Sequence, residues 1–412
     1  MKYIVILGDG MADYPIPQLN NKTPLQYAKK PYMDYMASNG MFGLVKTIPD
    51  GMAPGSDVAN LSVMGYDPLK YYTGRSPLEA ISMGIELKDN DKAFRCNLVT
   101  LSDEANYIDK SMIDYSSDEI SSEEGAQLIE TINYNFGFSD IKFYPGVSYR
   151  HCMVWHNAPQ EYKLTPPHDI SGRKIYVHLP EGKDSPILLQ LMQESNNVLK
   201  SHKVNQDRIK RGLNPANSIW LWGEGTKPSL SSFFDKYHLK GSVISAVDLV
   251  KGLGICMGLN SINVEGATGN INTNFIGKAD AALKELQSGQ DFVYIHVEAP
   301  DECGHRYEID NKVKAIELID QHIVGRLLKG LKGMGDYKIL LLPDHPTPLS
   351  LKTHTAEPVP FIIYSSALNN TNTNTETSTA NTSNISYDEI EAKNSGIFVD
   401  PGNSLMDLFI KG

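Results

Sequence analysis

Asp9 lies in Gly8-Asp9-Gly10-Met11-Ala12-Asp13, directly after the apolar run Tyr3–Leu7. Asp301 and His305 stand four residues apart, Asp344 and His345 are adjacent, and His354 sits in Lys352-Thr353-His354-Thr355-Ala356-Glu357. A single carboxylate after a strand usually caps a turn, and a lone Asp-x-x-x-His pair usually forms an ion pair. As a set, three carboxylates and three imidazoles offer oxygen and nitrogen donors without a thiolate. Such donors suit Mn²⁺, Mg²⁺ or a catalytic Zn²⁺ better than a structural zinc site. Two such ions, roughly 3.5–4 Å apart, can clamp the attacking and leaving oxygens of a phosphoryl displacement.

That chemistry also needs a nucleophile. In Pro49-Asp50-Gly51-Met52-Ala53-Pro54-Gly55-Ser56-Asp57-Val58-Ala59-Asn60-Leu61 a Pro/Gly turn delivers Ser56 to the start of a helix that carries Val58, Leu61 and Met64. The free N–H groups of a helix N-terminus favour a phosphoryl oxygen. Metal coordination would lower the pKa of the Ser56 hydroxyl and make it a better attacker. An isolated Ser here would read as an ordinary N-cap; beside the acid and imidazole set it reads as the nucleophile.

The elements that must position these groups follow from the apolar runs. Tyr3–Leu7 is short and continuously apolar, as a strand buried on both faces of a parallel sheet is, and Phe292–Val297, Lys338–Leu342 and Val359–Tyr364 are mainly apolar runs read as further strands. Helical patterns between them, such as Lys312–Asp320, predict an α/β fold: a mainly parallel sheet sandwiched by helices. Ligands of such sheets bind outside the carboxyl ends of the strands, where Asp9, Asp301 and Asp344 fall. The stretch 97–180 mixes a helix at Ser121–Ile132, a strand at His151–His156 and a Pro-rich segment, and reads as a smaller inserted α+β domain. The core is then discontinuous, 1–96 with 181–412. Residues 369–384, nearly all Asn, Thr and Ser, read as a disordered loop within it.

Composition sets limits on partners. The 412 residues include 41% hydrophobic and 21% charged side chains, and 38 Lys+Arg against 49 Asp+Glu give a net charge of −11. This is a globular composition without a broad nucleic-acid or anionic-lipid surface. The partner expected is a small phosphorylated metabolite. Cys96, Cys152, Cys256 and Cys303 show no short paired spacing, and the first apolar run is too short for a signal core or a spanning helix, so the cytoplasm is the expected compartment. Cys303 reads as small packing, and Trp220 and Trp222 as core residues of a strand. The sequence carries no signal for oligomeric state.

The pieces Gly8-Asp9-Gly10-Met11, Pro54-Gly55-Ser56-Asp57, Tyr72-Thr73-Gly74-Arg75-Ser76-Pro77-Leu78-Glu79-Ala80, Phe94-Arg95-Cys96-Asn97-Leu98, Gly266-Ala267-Thr268-Gly269, Asp301-x-x-x-His305, Asp344-His345 and His354–Pro360 occur in one order over nearly the whole chain. In that order the sequence resembles the archaeal-type, cofactor-independent phosphoglycerate mutases of the alkaline phosphatase superfamily. The resemblance implies one metal held by Asp301, His305 and His354, and a second by Asp9, Asp344 and His345 with Ser56. It implies a phosphoserine at Ser56, two divalent ions with Mn²⁺ first and Mg²⁺, Co²⁺ or Zn²⁺ as alternatives, and an insert that closes over the substrate. The activity implied is interconversion of 3- and 2-phosphoglycerate.

One stretch departs from the pattern. Where the family places an Asp followed by several arginines, this chain has Ile113-Asp114-Tyr115-Ser116-Ser117-Asp118-Glu119-Ile120, with no arginine. Guanidinium pairs are the strong way to hold a phosphate and a carboxylate. Arg75, Arg150, Arg208 and Arg211, with Lys251 and His151, are the remaining candidates for substrate binding. Asp114, Asp118 or Glu119 would instead pair with an ammonium, which makes a small-molecule kinase using ATP and an amino alcohol such as homoserine the alternative function. A phosphatase or phosphodiesterase comes third, and a non-catalytic metal-stabilised binding module last. No G-x-x-x-x-G-K-[ST] loop is present.

Overall fold

The computed structural model describes residues 1–159, 162–367 and 385–412, so the Asn/Thr/Ser loop expected at 369–384 lies outside the described residues. The chain divides into two compact units: Met1–Tyr72 with Ser229–Gly412, and Thr73–Pro228.

The larger unit is built on eight strands: β1 (Lys2–Gly8), β2 (Met41–Val45), β8 (Gly241–Ile244), β9 (Asn260–Ile262), β10 (Phe292–Val297), β11 (Tyr337–Leu342), β12 (Val359–Ser365) and β13 (Phe398–Val399). Their order across the sheet is β13-β2-β12-β11-β1-β10-β8-β9. β1 lies parallel between β10 and β11, in register Ile4↔Val293 and Ile4↔Ile339. This placement explains its unbroken apolar composition, since Ile4, Val5, Ile6 and Leu7 are all fully buried. The sheet is parallel except at β12, which runs antiparallel to β11 and β2. An antiparallel neighbour needs no crossover helix. Residues 343–358, between β11 and β12, are therefore free to lie along the strand ends, and they carry Asp344, His345 and His354. Among the described residues no helix is long and apolar enough to cross a membrane.

The smaller unit carries an antiparallel five-stranded sheet: β3 (Asp91–Leu101), β4 (Met112–Asp114), β5 (Ile141–Val147), β6 (Arg150–His156) and β7 (Ser218–Thr226). The helix Ser122–Phe136, capped by Ser121, buries Leu128, Ile129 and Ile132 and runs four residues beyond the expected end. The expected insert limits of 97–180 need correction. β3 pairs with β6 over Asp91–Asn97 and with β7 over Lys92–Val99, so a boundary after residue 96 would cut a central strand, and β7 belongs with the insert. Trp220 is buried in this unit's core and donates its Nε1–H to the Thr165 carbonyl. Trp222, only half-buried, instead lies under the Arg95 guanidinium at 4.5 Å and donates to Asn97.

Candidate metal centre

The ends of β1, β10 and β11 bring the acid and imidazole set together. Asp301 and His305 share one face of the helix Ala299–Arg306, which begins two residues after β10. His305 Nε2 lies 3.3 Å from Asp301 Oδ2, and His354 Nε2 lies 3.4 Å from Asp301 Oδ1. His305 Nδ1 donates to the Lys352 carbonyl at 2.9 Å, which leaves Nε2 as the metal-facing nitrogen. The ligand atoms of Asp301, His305 and His354 all fall within 4.8 Å of one another.

A second cluster surrounds Asp9. Asp9, His296 and Asp344 form one group within the same limit, and Asp9, Asp301 and His345 another. Asp344 is fully buried and pinned, accepting from the Gly10 N–H, from its neighbour's N–H and from Asn60 Nδ2. Gly10 has φ +62, and a Cβ there would stand 2.8 Å from the Asp301 backbone, so only glycine lets the loop pass. Thr347 donates its hydroxyl to Asp301 and lies 3.3 Å from His345 Nδ1. Beneath the loops, the buried Lys312 ammonium holds Asp13 at 2.6 Å and the Thr347 carbonyl at 2.8 Å.

Ser56 opens the helix Ser56–Val63 behind Gly55. Its Oγ lies 3.2 Å from His345 Nε2 and 3.4 Å from Asp9 Oδ2. Asn60, one turn on, donates to both the Ser56 carbonyl and Asp344, and accepts from the Tyr294 hydroxyl. Asn60, Tyr294, His296 and Thr347 all escaped the sequence reading. Of these only Asn60 left a signal, as a polar residue on an otherwise apolar helix face.

The electrostatics fit a bound cation. Burial, then the carboxylates of Asp344, Asp301 and Glu298, push the Asp9 carboxyl well above its usual range. Asp9 Oδ1 is buried without a hydrogen-bond partner. Burial acts the same way on Asp301, but hydrogen bonds from His305 and His354 override it and hold that carboxyl well below the usual range. His305 is raised in turn to about 9, mainly by its bond to Asp301. A divalent ion would relieve the repulsion among these acids and engage the orphaned oxygen. The structure thus contains candidate sites for a divalent metal; Lys251, a substrate-binding candidate, lies beside Asp248 at 3.7 Å.

The smaller unit revises the substrate-binding expectations. Arg208 is 2% exposed and spends its donors on Glu124, the Ser117 carbonyl and the Asn214 carbonyl. Arg211 also pairs with Glu124. Both arginines therefore tie the 117–124 segment to the helix Lys203–Lys210. That segment needs support, because Ser117, Asp118 and Glu119 are consecutive left-handed residues with φ 51, 55 and 49. Asp114 accepts from the Ser116 N–H, the Ser116 hydroxyl and the Asp118 N–H, and Asp118 binds Asn214, so these two acids are occupied as loop caps rather than poised for an ammonium. His151 is buried, accepts from the Gly146 N–H, and is driven down to about 3 by burial, which removes it as a cation. Arg75 and Arg95 each bind one oxygen of Glu79 at 2.8 Å, and Arg150 lies 5.3 Å over the Tyr149 ring. Cys303 is buried, as expected of a packing residue.

Fold and site together define a metal-dependent phosphotransferase of the α/β type, with strand-end carboxylates and imidazoles converging on a serine at a helix N-terminus. The chain belongs to the 2,3-bisphosphoglycerate-independent phosphoglycerate mutase family. It is 52% identical over 410 residues, covering 100% of both chains, to a Geobacter sulfurreducens protein named as a probable 2,3-bisphosphoglycerate-independent phosphoglycerate mutase. It is 49% identical over 413 residues, again covering 100% of both, to the 2,3-bisphosphoglycerate-independent phosphoglycerate mutase of Methanothrix thermoacetophila. The family model for 2,3-bisphosphoglycerate-independent phosphoglycerate mutase matches residues 37–205, and that for type I phosphodiesterase / nucleotide pyrophosphatase matches 172–350. A solved structure from Pyrococcus horikoshii, 29% identical, superposes with a TM-score of 0.80 over 100% of this chain and 96% of its own.

Proposed function

We propose that this protein interconverts 3-phosphoglycerate and 2-phosphoglycerate through a phosphoserine at Ser56. The observation that carries the reading is the Ser56 hydroxyl, held at a helix N-terminus within 3.4 Å of both Asp9 and His345. Family membership over the full chain supplies the substrate. In this reading Asp301, His305 and His354 hold one divalent ion, and Asp9, Asp344 and His345 with Ser56 hold a second, Mn²⁺ being the first candidate. The ions supply Lewis acidity and charge neutralisation at the phosphoryl group. Ser56 accepts the phosphoryl group and returns it to the other hydroxyl of glycerate, while Asn60 fixes the Ser56 backbone and Asp344 in one hydrogen-bonded unit.

Arg75, Arg95 and Arg150 are proposed as the cations for the substrate's acidic groups; Arg208, 2% exposed, is held within its own unit by Glu124 and by the Ser117 and Asn214 carbonyls. Bidentate guanidinium contacts suit both a carboxylate and a phosphate. The smaller unit, Thr73–Pro228, is proposed to exclude water, without which a phosphoserine would be lost to hydrolysis. The scattered spacing of Cys96, Cys152, Cys256 and Cys303, with no short pair, supports a cytoplasmic location.

The deciding experiment supplies Mn²⁺-loaded protein with 3-phosphoglycerate alone and, in parallel, with ATP and homoserine. Formation of 2-phosphoglycerate without nucleotide is expected. Phosphorylation of homoserine with no mutase turnover would replace this reading by the kinase.

A further inference from the structure

Ser245, His296 and Asp9 stand in a line across the ends of three neighbouring parallel strands, β8, β10 and β1. His296 Nε2 lies 2.9 Å from Asp9 Oδ2, and His296 Nδ1 lies 3.2 Å from Ser245 Oγ. With Asp9 ionised, as a bound cation would keep it, its carboxylate only accepts, which puts the ring proton on Nε2 and leaves Nδ1 to accept from the Ser245 hydroxyl. Ser245 Oγ is itself placed by the Val247 N–H at 2.9 Å.

The backbone around the imidazole is equally fixed. His296 is fully buried, pairs with Leu7 in register, and has its carbonyl held by the buried Lys278 ammonium at 2.8 Å. The Asp9 N–H binds the Val297 carbonyl, so the strand carrying His296 and the turn carrying Asp9 cannot slide past each other. Asp9 thus has one oxygen, Oδ2, accepting from His296 and, at 3.4 Å, from Ser56, and the other, Oδ1, buried with no hydrogen-bond partner and 3.7 Å from His345 Nε2.

We infer that His296 is a positioning residue: its Nε2–H holds Asp9 Oδ2 so that Oδ1 faces the cation, and Ser245 sets the tautomer that makes this possible. His296 could otherwise be read as a ligand, since it falls within one candidate group with Asp9 and Asp344. The Asp9 bond uses the proton on Nε2, and a metal would need that nitrogen's lone pair instead. The inference rests on the metal-centre reading above.

The test is Mn²⁺ titration of chelator-treated protein by calorimetry, with metal content at saturation, for the wild type and for His296→Leu, His296→Gln and Ser245→Ala. Thermal melts in chelator check that each variant folds. His296→Leu is expected to weaken Mn²⁺ affinity about 10–100-fold while binding as many ions at saturation as the wild type. His296→Gln, whose amide N–H can reach the same oxygen, should recover most of that loss, and Ser245→Ala should weaken binding by less than His296→Leu. Wild-type affinity in both His296→Leu and Ser245→Ala would overturn the inference, as would one ion fewer at saturation in His296→Gln, which would make His296 a ligand. A wild type that takes up no Mn²⁺ would overturn the metal centre itself, and this inference with it. Should His296→Leu fail to fold, the other two variants still decide.

Discussion

His305 and His354 face each other Nε2 to Nε2 across 2.9 Å, and both nitrogens also lie against Asp301. Because His305 Nδ1 already donates to a carbonyl, a neutral His305 brings only a lone pair to this meeting point. Without a metal this cluster is held together by a proton on His305, whose pKa is raised to about 9 by its bond to Asp301, and a divalent ion would take that proton's place. Dialysis against a chelator should therefore abolish turnover and lower the melting temperature, with Mn²⁺ restoring both. Binding at about 100 times the dissociation constant adds roughly 2.7 kcal/mol. Full activity after exhaustive metal removal would contradict the assignment.

Ser56→Ala removes the proposed nucleophile without disturbing Asn60, which binds the Ser56 backbone carbonyl rather than its hydroxyl. We expect kcat to fall by at least about 10³-fold and no phosphopeptide to be found by mass spectrometry after incubation with 3-phosphoglycerate. Retained turnover would assign the transfer to another group.

Arg95→Met and Arg208→Met should fail in different ways. Arg95 flanks Glu79 and Trp222, and its loss is expected to raise KM for 3-phosphoglycerate at least about tenfold, the cost of a charge-assisted pair. Arg208 is buried against Glu124, and its loss should lower stability by about 3 kcal/mol, read by urea unfolding. A selective KM effect in Arg208→Met with unchanged stability would reverse the two roles.

Asp320 provides a pH test far from the metal centre. It is 1% exposed, accepts from the Met33 N–H, and is raised by burial to about 6. An acid whose folded pKa lies above its unfolded value favours the native state while protonated. That contribution is complete below about pH 4 and is lost as pH rises through about 6. Asp320→Asn mimics the protonated acid, so it should melt with the wild type at pH 4.5 and above it at pH 8, by the equivalent of about 1–3 kcal/mol. Parallel melting curves at both pH values would show that the acid is not strained.

Much of this was legible in the sequence because strand ends and ligand types are local properties. Asp9, Asp301 and Asp344 follow apolar runs, and the topology brings those runs side by side. The antiparallel course of β12 was not legible, since Val359–Ser365 is buried throughout and reads like its parallel neighbours. The supporting residues were hidden for a different reason. His296 and Tyr294 sit inside an apolar strand, and their partners Asp9 and Asn60 lie 287 and 234 residues away. Arg208 illustrates the opposite error: a guanidinium in a family-like segment reads as a substrate contact, yet its neighbours spend it on a loop whose backbone needs anchoring.

The position of β1 bears on how the protein is made. It leaves the ribosome well before its two sheet neighbours, β10 and β11, which begin at residues 292 and 337. Until those strands arrive, Asp9 is a carboxylate on an unpaired, aggregation-prone apolar segment. His354 comes later still, so a chain stalled before residue 354 lacks one member of the Asp301, His305 and His354 group. The smaller unit, contiguous at Thr73–Pro228, is meanwhile fully synthesised. Pulse-labelled nascent chains should accordingly gain protease resistance in two steps, the internal unit first, with metal-dependent protection appearing only after residue 354 has emerged.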